Sequence, residues 1–155
     1  MHLVTATFEE LRVPVERVAV ELHTELDRYA TVVFLSPGTK PVDLFDGAEP
    51  FFAAEENGKV RLFARASLSR IVEDAGEAAP ASLEKLGVSY ESRGVLVRFR
   101  SGRVLTGLVM SMGADGRGPR TLDMLNERAK SFAVHADGKV HHVAKEHVAW
   151  VQELR

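Results

Sequence analysis

Two stretches of the chain alternate apolar and polar residues with a period of two. In VAVEL, Val18, Val20 and Leu22 share one face, and in VLVRFR, Val95, Val97 and Phe99 oppose Arg98 and Arg100. That period predicts half-buried strands. Each stretch is followed by a turn, His23–Asp27 in one case and Ser101-Gly102 in the other. A near-continuous run rich in β-branched residues then follows, RYATVVFLS or RVLTGLVMSM, which at this length predicts a buried strand rather than a helix. Turn-rich loops come next, PGTKP and GADGRGPR. Pro41-Val42-Asp43 and Thr121-Leu122-Asp123 then lead into short apolar clusters that fit a single capped helical turn. Asn57-Gly58 lies between PFFAAEE and KVRLFAR, and Asp137-Gly138 between SFAVHA and KVHHVAK. These dipeptides favour two-residue hairpins because both central positions need positive φ. Short strands near Leu68–Val72 and Val148–Leu154 complete the pattern.

The parallel between these two series extends to the residues themselves. Thirty residues from Asp43 align without a gap on thirty from Asp123, eighty positions downstream. Asp43/Asp123, Phe52/Phe132, Ala53/Ala133, Gly58/Gly138, Lys59/Lys139, Val60/Val140 and Ala64/Ala144 are identical. Those seven identities exceed the roughly two that average composition would give by chance, so the chain reads as a duplicated unit. The expectation is an all-β protein of two tandem, related, small barrels of SH3-like or Sm-like type, with short helical turns, packed together. Residues 1–78 form the first repeat, 79–92 the linker and 93–155 the second repeat. Ser82–Leu86 allow one or two helical turns inside the linker. A unit this small buries only about 60% of its unfolded surface, so the two are expected to share an interface.

The second unit resembles a bacterial domain family without an assigned activity. The likeness rests on Gly102 and Gly107 around a strand–turn–strand and on the D-x-L-N cluster of Asp123, Leu125 and Asn126. Phe132 and a last turn carrying Val143, Lys145 and Val148 complete it. It covers 93–154 well and 17–72 more loosely, where Phe45 and Asp46 replace the Leu-Asn pair and Arg65 the lysine. The resemblance implies a fold and no reaction. An Sm-like relationship would also imply RNA binding and ring assembly. The Asp-bearing loop followed by Asn and the closing glycine-basic pair of that pattern do not occur here. Arg61-x-x-x-Arg65 is similar to the arginine pair of cyclic-dinucleotide-binding PilZ domains, whose second motif is missing.

Charge divides the chain more sharply than its net −2 implies. Residues 1–87 hold 9 Lys+Arg against 15 Asp+Glu (−6), and residues 88–155 hold 11 against 7 (+4). Opposite halves can attract each other, stack head to tail between molecules, or present the basic half to an anionic partner. Arg98, Arg100 and Arg103 flank one turn, and Arg117 and Arg120 lie in the loop after the next strand. Arginine forks suit carboxylate and phosphate alike. Nucleic-acid surfaces usually add exposed aromatics, and only Tyr90 and Trp150 lie nearby as candidates, Phe99 pointing inward. This set is read as a partner- or anion-binding face.

Candidate chemistry adds little. His135, His141, His142 and His147 cluster in sequence. A two-residue turn puts His135 opposite Val140 and on the face of His142, so these two, with His147, can be imagined around zinc. Glu55, Arg61, Leu62 and Ser67 occupy the matching positions of the first unit, so the fold does not need a metal there. There is no G-x-S-x-G, H-E-x-x-H or P-loop lysine, and the three glycines of GADGRGPR precede no strand-to-helix transition. No cofactor is expected. Absent cysteine excludes disulfides and thiolate chemistry. No membrane span or signal-peptide layout is read, so cytoplasm is the expected compartment. The expected function is a non-enzymatic adaptor or scaffolding module binding another protein or its own copies. RNA binding is the alternative, and a zinc-dependent activity at the histidines a weaker third.

Overall fold

The computed structural model describes residues 14–76, 87, 91–111 and 121–154. The expected linker (except Gly87 and Glu91-Ser92) and its helical turns, the GADGRGPR loop, Tyr90, Arg117 and Arg120 lie outside those residues. Ten strands are present: β1 (Glu16–His23), β2 (Arg28–Leu35), β3 (Phe51–Glu56), β4 (Lys59–Ala64), β5 (Arg70–Asp74), β6 (Glu91–Phe99), β7 (Val104–Ser111), β8 (Ser131–Ala136), β9 (Lys139–Ala144) and β10 (Val148–Leu154). A 3₁₀ turn at Pro41–Asp46 precedes β3, and the five-residue helix α1 (Thr121–Leu125) precedes β8. Two further 3₁₀ turns, Arg65–Ser67 and Lys145–His147, were not foreseen in the sequence. The first of them delays β5 to Arg70, two residues later than expected.

All ten strands belong to one antiparallel sheet in the order β10-β6-β7-β8-β9-β5-β1-β2-β3-β4. The sheet is not closed. Where two barrels were expected, the last strand of the first half pairs with the fourth strand of the second: Ile71 lies opposite His142 and Glu73 opposite Val140. The reason is physical. A strand edge presents a row of unpaired amides and carbonyls, and each half satisfies one such row with the other. Within each half the strand order is the same, β5-β1-β2-β3-β4 and β10-β6-β7-β8-β9.

The hairpins form as the turn residues dictate. Asn57 and Gly58 take φ of 51° and 78°, and Asp137 and Gly138 take 52° and 73°, so both central positions have the left-handed backbone of a two-residue hairpin. The ladders close on Glu56–Lys59 and Ala136–Lys139. β3 and β8, and likewise β4 and β9, start and end eighty residues apart.

Two hydrophobic cores result. Val20, Leu22, Val33, Phe63, Leu68 and Ile71 are central to the first, and Val95, Val97, Phe99, Val134 and Val143 to the second. Phe63 of β4 and Ile71 of β5 come from opposite ends of the first five-strand run, so that run curls around its core without its end strands pairing. Ala144 belongs to the first core although it sits on β9, next to Val143 of the second. Neighbouring residues on a strand point to opposite faces, so the two cores lie on opposite faces of the sheet where β5 meets β9.

Among the described residues β7 meets β8 through one ladder pair, Leu108–His135. Gly107 sits at this crossing: a Cβ there would come within 2.5 Å of the His135 carbonyl oxygen and 2.7 Å of Val134 Cγ1. Backbone on the far side cannot yield as a flexible side chain can. Gly107→Ala is therefore expected to destabilise the protein by about 1–3 kcal/mol, the usual cost of overpacking, read as a lower midpoint in thermal or urea unfolding. An unchanged midpoint would mean that the crossing is looser than described.

Candidate interaction site

The seam between β5 and β9 is built from backbone first. Five residue pairs run from Arg70–Val143 to Asp74–Lys139. The Ala144 amide donates to the Ser69 carbonyl at 2.9 Å and the Ala75 amide to the Gly138 carbonyl at 3.0 Å, extending the ladder at both ends. Side chains then fix the register. His142 Nε2 lies 2.8 Å from Glu73 Oε2, and Lys139 Nζ lies 3.5 Å from Asp74 Oδ1. The exposed Lys139 pair adds little. Away from the strands, Arg103 donates to the carbonyl of Leu26, and His147 Nε2 lies 2.7 Å from the carbonyl of Ala66.

A chain of polar side chains crosses the other face of the seam. Arg70 Nε donates to His23 Nδ1 at 3.1 Å, so that nitrogen carries no proton. His23 Nε2–H then donates to the Glu21 carboxylate at 2.5 Å. Arg70 Nη1 also approaches His141 Nδ1 at 3.4 Å, and its guanidinium lies 5.0 Å from the centre of the Phe99 ring. Glu21 and His23 come from β1, Arg70 from β5, His141 from β9 and Phe99 from β6, so four strands of both halves meet here. Burial, then the Arg70 charge, lowers the pKa of His23, and the same two causes bring His141 down to about 4. The Glu21 carboxyl is desolvated, which alone would raise its pKa, yet its hydrogen bond and attraction to His23 and the nearby Arg28 and Lys139 charges bring it below the usual value. Both imidazoles are neutral at pH 7 and the carboxylate is charged.

The residues singled out in the sequence are placed differently. Arg98 and Arg100 are exposed at the β6–β7 turn. Arg103, expected to serve that same face, instead braces the first half through Leu26. His135 lies opposite Val140 and on the face of His142. Its Nδ1 is buried with no hydrogen-bond partner among the described residues, and burial followed by His142 lowers its pKa. His142 is engaged with Glu73 and His147 with the Ala66 carbonyl. Among the described residues no group of three His, Asp or Glu side chains is placed to hold a metal ion. The Glu21–His23–Arg70–His141 chain went unrecognised in the sequence. Its members are 120 residues apart at the extremes, and only the β1–β5–β9 order brings them together.

Arg65 and Lys145, also eighty residues apart, share a role. Arg65 donates to the carbonyls of Leu44 (2.6 Å) and Glu49 (2.5 Å), and Lys145 to those of Met124 (3.2 Å) and Glu127 (3.0 Å). Each cation opens the 3₁₀ turn after the fourth strand of its half and ties it to the backbone in and just after the earlier helical turn. Both line a cleft of about 550 Å³ at one end of the seam, together with Phe45, Pro50, Phe51 and Glu146.

The outer edges complete the picture. On β4, Val60 is 64% and Leu62 67% exposed, and on β10, Trp150 is 46% and Leu154 41% exposed. At the seam, Val140, the counterpart of Val60, is 7% exposed. Among the described residues no strand lies beyond β4 or β10, and no helix is long and apolar enough to cross a membrane.

Comparison of the chain with models of protein families, with curated proteins and with solved structures found no match.

Stability should depend on pH through the buried imidazoles. Their folded pKa values lie below the ordinary value near 6.5, so the unfolded chain binds more protons as pH falls from about 6.5 toward 4. Stability contributed by the neutral forms is complete above that window and lost within it. A lower denaturation midpoint at pH 5 than at pH 7 is expected, with His141→Gln reducing the difference. An equal difference in this variant would remove His141 from the account.

Replacing Lys145 with Ala should cost about 1.5–3 kcal/mol, the range for hydrogen bonds to a charged group. Arg65→Ala should cost a similar amount. Each is read in the denaturation midpoint, with Lys59→Ala as the exposed control.

Proposed function

We propose that this chain is a non-enzymatic adaptor or scaffolding module, made of two related units of SH3-like or Sm-like strand order, that binds protein partners through its sheet edges. The observation that carries this reading is the exposed apolar surface on the two end strands. Val60 and Leu62 on β4 and Trp150 and Leu154 on β10 are exposed on the two strands that end the sheet among the described residues. Strand edges recruit extended segments because the backbone supplies affinity and alternate side chains supply selectivity. The eighty-residue correspondence of strands and turns supports the duplication, and the D-x-L-N cluster supports kinship with the bacterial family of unassigned activity.

The polar groups of the seam also fit an architectural role better than a catalytic one. Glu21, His23 and Arg70 are bonded to one another and not converged on the 550 Å³ cleft, where two of the charged side chains, Arg65 and Lys145, hold backbone carbonyls. Metal-dependent chemistry at His135, His142 and His147 draws no support from the described residues, among which no three such side chains are placed to hold an ion. The cytoplasm remains the compartment this reading assigns.

Arg98 and Arg100 form the basic end of the surface beside β10, where Arg98 is the ladder partner of Trp150. A pull-down from the source cell with nuclease added to half the sample tests the reading. Protein partners are expected to survive nuclease, and Arg98→Glu with Arg100→Glu should weaken their capture more than it weakens nucleic-acid binding. Binding to RNA or DNA should be weak near physiological salt and fall steeply as salt rises. Partners lost on nuclease treatment, with tight sequence-selective RNA binding abolished by the same double replacement, would make RNA the target.

A further inference from the structure

We infer that the cleft at the end of the β5–β9 seam is a binding site for a small monocarboxylate with an aromatic or aliphatic body. The site stands whether or not the sheet edges bind protein.

Both halves build the cleft, and they build it from equivalent residues. Where β4 runs into the 3₁₀ turn Arg65–Ser67, the Arg65 amide donates to the Pro50 carbonyl at 2.8 Å. Where β9 runs into Lys145–His147, the Lys145 amide donates to the Lys130 carbonyl at 2.9 Å. These two corners line the same cleft. Its volume of about 550 Å³ is that of a small-molecule site, and such sites favour junctions between structural units.

The lining is apolar and mostly short. Phe45 and Ala144 are buried, at 8% and 3% exposure, and form the floor, while Phe51 is 56% exposed at the wall. Ser131 stands in the place of Phe51 in the second half, so this corner of the fold does not require a ring. A phenylalanine held there offers a face on which an apolar body can stack. The backbone offers little in addition. The amides of Arg65, Ala144 and Lys145 are already donated to the carbonyls of Pro50, Ser69 and Lys130. An extended peptide would find its own polar groups unanswered along that wall, whereas a compact apolar body has none to satisfy.

Charge selects the head group. Arg65, Lys130 and Lys145 line the cleft against Glu49 and Glu146. None of the five is in an ion pair among the described residues. Three cations against two carboxylates leave one positive charge, which a single carboxylate neutralises. Arg65 is fixed for that contact. Its guanidinium lies where a Cβ on Gly47 would overlap it, with its Cζ 5.2 Å from the centre of the Phe52 ring. Nε and Nη1 hold the carbonyls of Glu49 and Leu44, and Nη2 has no hydrogen-bond partner among the described residues. Lys145 Nζ uses two of its three donors on the carbonyls of Met124 and Glu127. Cations anchored by uncharged carbonyls keep their charge and their remaining donors for an anion.

The test uses the full chain and three probes of one shape: naphthoate, naphthylmethanol and naphthylmethylamine. Amide NMR spectra locate the binding, and titration calorimetry gives the affinity. Naphthoate at millimolar concentration is expected to shift the amides of residues 47–51 and 144–146, which line the cleft. It should bind about tenfold more tightly than the neutral alcohol, the scale of one charge-assisted hydrogen bond, and the amine should bind least. Lys130→Glu reverses the charge balance at an exposed side chain, so it should weaken naphthoate about tenfold and spare the alcohol. Phe51→Ser should weaken both probes, since it removes the stacking face and leaves the charges. Neither variant is expected to change the denaturation midpoint, so loss of binding is not loss of fold. Arg65→Lys keeps the charge and removes the fork, and should weaken naphthoate alone. Absence of shifts at those residues overturns the inference. So does an amine that binds as tightly as naphthoate, or a Lys130→Glu variant that binds naphthoate unchanged. Binding of a peptide with a carboxyl-terminal phenylalanine, without binding of naphthoate, would overturn it in favour of a chain end.

Discussion

The structure depends on one backbone pairing, the ladder between β5 and β9. An edge strand in water is a template for further pairing, and natural sheets cover, charge or shorten such edges. Here the first half covers its fifth strand with the fourth strand of the second half, from Arg70–Val143 to Asp74–Lys139. Remove that ladder and each half is a five-stranded run of marginal size with a further strand edge exposed. Keep it, and ten strands share one sheet with cores on opposite faces, because Val143 and Ala144 are neighbours on β9 and must point opposite ways.

Side chains at the ladder give it a single register. A slip of one residue would send Ile71, fully buried in the first core, to the face of Arg70 and His141. It would also break the chain from Glu21 through His23 to Arg70. Buried polar groups of this kind contribute little net stability when satisfied, but are costly when left unpaired. They act against wrong pairings more than for the right one. Arg70 has a second anchor in the ring of Phe99, so a residue of the first half reads the position of the second core directly.

The exposed apolar surface at the ends of the sheet follows from the same geometry. Among the described residues, the pairing of β5 with β9 leaves β4 and β10 at the ends of the sheet, each with apolar side chains in solvent. Loop contacts of Arg103 with Leu26 and His147 with Ala66 brace the internal seam from outside the ladder. The arginine turn at 98–103 is thus divided in its duties: Arg103 serves the joint between halves, while Arg98 and Arg100 stay exposed beside β10.

The sequence by itself determined every strand that rests on short-range physics. Alternation placed β1 and β6, Asn57-Gly58 and Asp137-Gly138 set the hairpins, and the gapless thirty-residue match placed β3, β4, β8 and β9 at the same offset. It also put His135 opposite Val140, since register follows from a two-residue turn. It did not determine how the halves join, because strand pairing at long range leaves no periodic trace in the residues that make it. Closed barrels and an open shared sheet use the same alternation. Only the tertiary structure decided that β5 turns to β9. With that came the meeting of Glu21, His23, Arg70 and His141, the separate engagements of His142 and His147, and the identity of the two strands left at the ends.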